Sequence, residues 1–422
     1  MNRILNIIFL LAVLITPVSV SASPAAEEWL AEHDLDLHGF LDVRTGVRLR
    51  DDPYEKDFSL AETRLQLDLN RDAAWAIFKL KADLLGDAVT EEVSAELREA
   101  NLLFSPLDFM DVKLGRQVLT WGTGDLLFIN DLFPKDWESF FIGRDNEYLK
   151  APSDALKASL FFAPINVDLA YVPIFNNSNY IDGSRLSYWN SLQSGVAGRD
   201  FVFADHERNR FPEDSEYALR LYRNFAGIET AFYGYSGFWK TPEGLDPATV
   251  ILTYPRLAVW GASARGQAWQ GIANVEAGYY DSREDRDGDD PFVRNSEWRL
   301  LAGYEREVAS DFTASVQYYL EWMQDYDAYH RIAGPFAKDE LRHVFTLRLT
   351  RLLLNQNVML SLFAYYSPSD DDGYLRPNVH YKITDQWAVD AGGNIFFGSA
   401  DHTFFGQFEN NTNLYVGVRR NF

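Results

Sequence analysis

The chain contains no cysteine. Disulfides, thiolate metal centres, iron–sulfur clusters and thioether-linked haem are therefore excluded. It is also poor in positive charge, with 39 Lys and Arg against 62 Asp and Glu and a formal charge of −23. So acidic a chain does not suit nucleic acid as a partner. Beyond its first segment it lacks any apolar run of about 18 residues, which argues against helical membrane spans. Signatures of catalysis are missing as well. There is no Gly-x-Ser-x-Gly elbow, no His-Glu-x-x-His and no phosphate loop, and the 7 His are scattered. The expectation is a protein that is not an enzyme and holds no cofactor, with a wall-mounted Ser/His or Asp/His site of an outer-membrane hydrolase as the alternative.

Aromatic residues are abundant, at 11 Trp, 22 Tyr and 30 Phe. The N-terminus reads as a secretory signal peptide over residues 1–22: Arg3, an apolar run from Ile4 to Val20, then the small residues Val20-Ser21-Ala22. An uncleaved membrane helix is the other reading of that run. At the far end, Asn413–Phe422 alternates. Leu414, Val416, Val418 and Phe422 share one face, and Tyr415, Gly417, Arg419 and Asn421 share the other. An amphipathic strand ending on Phe is the habit of outer-membrane barrels. The expected location is the outer membrane of a Gram-negative bacterium. Phe422 would then be the mark read by the barrel-assembly machinery.

About eighteen amphipathic segments follow the signal. They include Leu35–Arg50, Ser59–Asn70, Phe109–Trp121, Trp269–Asp281, Trp387–Gly398 and Asn413–Phe422. Short connections such as Asn70-Arg71-Asp72 alternate with long polar ones such as Gly122–Ser153 and Asn176–Asp214. That is the layout of a membrane barrel with short periplasmic turns and long outer loops. The expected fold is all-β: a transmembrane antiparallel β-barrel of about 18 strands over residues 35–422, with residues 23–34 a short periplasmic segment. A soluble β-sandwich is the competing reading. Girdle spacing favours the barrel. Trp269 and Tyr279 are ten residues apart on one outward face, which covers about 23 Å of membrane normal at about 45° tilt. Trp298 with Tyr304, and Phe312 with Trp322, repeat the pattern. An even strand number pairs Asn413–Phe422 with Leu35–Arg50 and closes the cylinder.

Alternation places Arg44, Arg48, Arg64, Arg98, Arg348 and Arg376 in the lumen, with a near-equal set of acids. The net negative charge then belongs to the connections. So many ions exclude a filled hydrophobic interior. They either pair in ladders or line a wet path. Glu99 and Arg116 break the alternation, since both fall on the lipid-facing parity, where an ion costs roughly 2–4 kcal/mol at mid-bilayer. The expectation is that β-bulges turn both inward and that they pair. The Gly122–Ser153 connection is too apolar for a solvated loop. It is expected to fold inward and narrow the bore, or else to pack at the rim. Asp125, Lys135 and Arg144 become its candidate constriction charges, beside Gln117 and Trp121 at its entry. Asp285, Asp287 and Asp289 form a weak candidate for Ca²⁺, with a plain solvated acidic loop as the alternative.

Leu97-Arg98-Glu99-Ala100, then Leu114-Gly115-Arg116-Gln117-Val118 and Trp121-Gly122, together resemble the alginate-export type of outer-membrane barrel and its uncharacterised porin-like relatives. The resemblance implies an eighteen-stranded channel with its Gly-Arg-Gln segment before an inward loop, passing an anionic polymer or other anionic solute. The expected function is a porin-like channel for a polar or anionic solute. Export of an anionic polysaccharide with periplasmic partners, or a sheath around a partner protein, are the alternatives. Lipid and lipopolysaccharide are expected around the barrel.

Overall fold

The computed structural model describes residues 28–30 and 32–422. The signal peptide expected over 1–22 lies outside them, as does half of the segment 23–34. From Leu35 onward the chain is dominated by strands with period-two burial. β1 (Leu35–Arg48) sets the pattern: Asp42, Arg44 and Arg48 are buried on one face while its Leu and Val residues line the other. There follow β2 (Phe58–Ala73), β3 (Ala76–Asp87), β4 (Glu92–Leu107), β5 (Met110–Gln117), β6 (Ser153–Phe161), β7 (Asn166–Val172), the small hairpin β8 (Tyr188–Asn190) and β9 (Gly195–Ala197), β10 (Glu216–Phe225), β11 (Ile228–Phe238) and a second hairpin, β12 (Gly244–Asp246) and β13 (Ile251–Thr253). The chain continues with β14 (Arg256–Ala268), β15 (Gly271–Ser282), β16 (Glu297–Ala309), β17 (Phe312–Met323), β18 (Leu341–Leu353), β19 (Val358–Ser367), β20 (Asp372–Lys382), β21 (Trp387–Gly398) and β22 (Asn413–Asn421). Leaving out the two small hairpins, 18 strands form one sheet in which each pairs antiparallel with its neighbours.

The sheet closes on itself. β1 pairs with β22 from Phe40 opposite Asn421 to Arg48 opposite Asn413. Gly39 and Phe422 exchange both backbone hydrogen bonds at 3.0 Å. A side chain at Gly39 has no room, because its Cβ would lie 2.3 Å from the Gln66 carbonyl and 2.8 Å from the Phe422 ring. The closed cylinder leaves no free sheet edge, the condition for crossing a bilayer with strands.

Outside, apolar side chains are exposed all round the wall, among them Leu67, Leu80, Leu114, Phe232, Val275, Val316 and Leu360. Aromatic residues mark two levels. Towards the long loops, Trp260, Tyr279, Trp298 and Trp322 stand directly opposite one another across β14–β17. Towards the short turns, Trp75 meets Phe78, Phe109 meets Phe162 and Trp269 meets Tyr304. Trp269 differs from expectation in one respect. It occupies the turn between β14 and β15 rather than the strand, with φ of 50°, and is 87% exposed. A tight turn needs a left-handed residue there, and the indole still reaches the interfacial level.

The lumen is not filled by apolar side chains, but one aromatic layer lies within it. Tyr365, Tyr374, Phe396, Phe405 and Phe408 pack with Phe140 and Phe141 of the Gly122–Ser153 connection into one buried cluster. Tyr374 and Phe396 stack at 4.5 Å. The ions are not displaced by this core, because they pair in a separate layer beside it.

Candidate functional site in the barrel lumen

The connection after β5 is ordered by its own local chemistry. Helix α1 (Trp137–Ile142) is capped by Asp136, whose side chain accepts the Ser139 N–H at 2.8 Å. It ends at Gly143 with φ of 95°. Only glycine serves there, because a Cβ would sit 2.2 Å from the Tyr415 ring of β22. A 3₁₀ turn over Asn146–Leu149 follows.

The connection's hydrogen bonds run to inward-facing side chains right around the wall. Glu276 of β15 accepts the N–H groups of Thr123 and Gly124. Gln317 of β17 accepts the Asp125 N–H at 2.8 Å, and Arg348 of β18 donates to the Asp125 carboxylate at 2.8 Å. Tyr365 of β19 donates to the Leu126 carbonyl, and Arg376 of β20 holds Asn146. On the near side, Arg44 of β1 donates to the Gly143 carbonyl at 3.2 Å and Gln66 of β2 donates to the Tyr148 hydroxyl at 3.0 Å. Arg98 of β4 donates to the Lys150 carbonyl at 3.0 Å. In the ring, β5 is the fifth strand and β18 the fourteenth. The two are diametrically opposed, so a segment anchored on both spans the lumen.

Its firmest anchor is ionic. Arg144 donates to both carboxylate oxygens of Glu62, at 2.9 Å to Oε2, and to the Ser139 hydroxyl. Arg185 enters the same cluster from the Asn176–Asp214 loop, pairing with Asp87 and lying 3.5 Å from Glu62 and 3.3 Å from Glu138. Tyr148 is sandwiched between the guanidiniums of Arg64 and Arg98, at 4.1 and 4.8 Å. A third group joins Arg44 to Asp42 and Asp390, with Arg419 bridging Asp42 and Asp145. Such buried pairs are costly to desolvate and lose several kcal/mol when one partner goes.

Most expected lumenal residues thus face inward. Arg48 donates to the Arg185 carbonyl at 2.6 Å, and Gln117 is buried with its amide on backbone carbonyls. Trp121 packs on Phe133 and Tyr233. Lys135 is turned into its own segment, donating to Asp131 and the Phe133 carbonyl. Burial holds its ammonium below the usual lysine range against the pull of Asp131. It is a strut of the segment rather than a charge facing the bore.

The expected Glu99–Arg116 pair is corrected. A register shift opposite Lys81 and Ala82 does turn Glu99 inward, where it meets Lys79 at 3.1 Å and Lys113 at 3.6 Å. Arg116 stays on the outward face beside Leu114. It pairs with its cross-strand neighbour Asp154 at 2.7 Å. An exterior ion pair near the loop end of short strands satisfies the cation without a second bulge. The Ca²⁺ candidate also falls. Asp285 accepts the N–H groups of Gly288, Asp289 and Asp290, so it shapes its own loop. Among the described residues no group of three or more His, Asp or Glu is placed to hold a metal, Asp287 and Asp289 included. Sequence reasoning missed Arg185 altogether, and it placed Glu276 in the lumen by parity without marking it as an anchor. Their partners lie 47 or more residues away, and no local pattern marks the pairings.

No protein-family model matches the chain, and no curated protein does. Solved structures do. OccAB3 of Acinetobacter baumannii aligns with a TM-score of 0.56 at 10% identity, covering 92% of this chain and 99% of that one. OccD3 (OpdP) of Pseudomonas aeruginosa aligns with a TM-score of 0.53 at 8% identity, covering 92% and 91%. What the chain shares with these structures is the closed antiparallel β-barrel. Identity this low speaks for the fold alone.

Proposed function

We propose that this chain is an outer-membrane channel that passes polar, anionic solutes through a lumen narrowed by the Gly122–Ser153 segment. The observation that carries the reading is that segment's bonding from β1 round to β18, which leaves a solute only the space beside it. The anionic preference rests on how the lumenal ions are layered. Lys79, Lys113 and Lys157 have side chains 28–30% exposed, while the carboxylates they meet, Glu99 and Asp168, are 13% and 4% exposed. Solvent in the bore therefore meets ammonium groups in front of buried carboxylates. Weak, repeated cationic sites of this kind suit conduction, since binding must release at each step. The alginate-export resemblance agrees with an anionic cargo. A bore occupied by its own segment favours small solutes over a polymer, and it leaves no room for a sheathed partner. Reconstitution in planar bilayers tests the proposal. Discrete conductance steps with a reversal potential favouring anions are expected. No steps, or a cation preference, would refute it.

A further inference from the structure

Above the lumenal segment, on the side of the long loops, lies a cavity of about 920 Å³. The segment provides its floor through Phe128, Trp137 and Phe140, and Trp189 and Phe404 stand among its other walls. Fifteen of its lining residues are aromatic, about two in five, against 15% for the whole chain. That is the lining of a ligand pocket rather than of a water-filled bore, and its volume lies within the usual range for small-molecule sites. Its polar groups are few and largely committed. Arg294 pairs with Glu243 at 3.1 Å and Glu297 at 3.0 Å. Arg299 is held by Glu297, and Arg342 by Asp370 and Glu321. Lys338 is the exception. Its side chain lines the cavity, and among the described residues it makes no ion pair. Its backbone N–H is fixed on the Tyr329 hydroxyl at 2.9 Å, which holds the residue at the cavity edge.

We propose that this cavity is a binding vestibule for an amphipathic aromatic anion, with the ring system on the aromatic wall and the acidic group on the Lys338 ammonium. The inference rests on the channel reading and narrows its solute class. A neutral sugar would leave that ammonium unused, and an inorganic anion would leave the apolar wall unused. The guanidiniums are spent on their own carboxylates, so one acidic group finds one free cation. Lys338 is solvent-exposed at the cavity edge, with Arg294 nearby and the carboxylates of Glu243, Glu297 and Glu321 beyond ion-pair distance.

The test uses the full chain in lipid nanodiscs, with 2-naphthoate and the neutral 2-naphthylmethanol titrated calorimetrically against empty discs. Naphthoate is expected to bind saturably, and the alcohol about tenfold more weakly, since a charge-assisted hydrogen bond contributes about that factor. Lys338→Gln should bring naphthoate down to the alcohol's affinity, and Lys338→Arg should restore it. Absent saturable binding by the wild-type chain, or a Lys338→Gln variant that binds naphthoate as the wild type does, would overturn the vestibule. Conductance of the same preparation separates the two readings. A conducting chain that does not bind naphthoate defeats only the vestibule. A chain that binds but does not conduct supports the vestibule and defeats the channel.

Discussion

Arg144 joins the lumenal segment to the wall through a buried pair with Glu62. Replacing it with Ala strands Glu62 in a buried site, which generally costs about 3–5 kcal/mol. The lower end is expected here, because Arg185 remains 3.5 Å from the same carboxylate. Thermal unfolding of the reconstituted chain should show the loss, and the double variant Glu62→Leu/Arg144→Met should regain part of it. An unshifted unfolding temperature for Arg144→Ala would mean that the pair contributes nothing. Glu55 offers a pH test at the barrel mouth. It meets Arg199 of the Asn176–Asp214 loop at 3.0 Å, and its other oxygen has no hydrogen-bond partner. Burial raises its carboxyl from an ordinary 4.5 to about 7. The folded mouth thus keeps a proton that the opened mouth releases. Protonated Glu55 imposes no penalty below pH 4.5, and the penalty grows as pH rises through about 7, so stability falls across that window. Unfolding temperatures at pH 5 and pH 8 should diverge for the wild type and converge for Glu55→Gln. Parallel profiles would contradict the assignment. At this scale the sequence was legible wherever parity alone decides, as for Arg44, Arg64 and Arg348. It was illegible where a partner came from a distant loop. Arg116 shows a third case, in which a neighbour on the next strand, Asp154, removes the reason to turn inward.

Among the elements, strands read well because each carries two faces with different solvents. β21 spans the expected residues, and β1 and β22 meet as the even strand count demands. The seam is therefore open to test. Deleting Phe422 removes both hydrogen bonds to Gly39, and a Gly39→Val substitution drives a side chain into the Phe422 ring and the Gln66 carbonyl. Each should reduce the yield of heat-resistant, folded barrel on refolding into lipid vesicles, and the deletion should also slow insertion. Wild-type yields for both would contradict a seam that depends on this contact. The loops read less well. The richness of Gly122–Ser153 in aromatic residues rightly marks it as unfit for solvent, but its partners on the wall, Tyr365, Tyr374 and Phe396, sit at inward parity among ions. Counting charges on those strands hides an aromatic layer that shares the lumen with the ions.

For the whole molecule, the cylinder provides a closed ring, and in the proposed channel the segment across it sets what passes. The wall's ions hold that segment in place in the upper lumen, whereas the lysines below face the water. The proposal makes a simple demand: the bore belongs to the segment, not to the barrel. Replacing residues 124–148 with a short Gly-Ser linker, while keeping all 18 strands, and recording single-channel conductance in planar bilayers tests this most directly. A several-fold larger conductance than that of the intact chain, with weaker anion preference, is expected. An unchanged conductance would contradict a lumen narrowed by this segment.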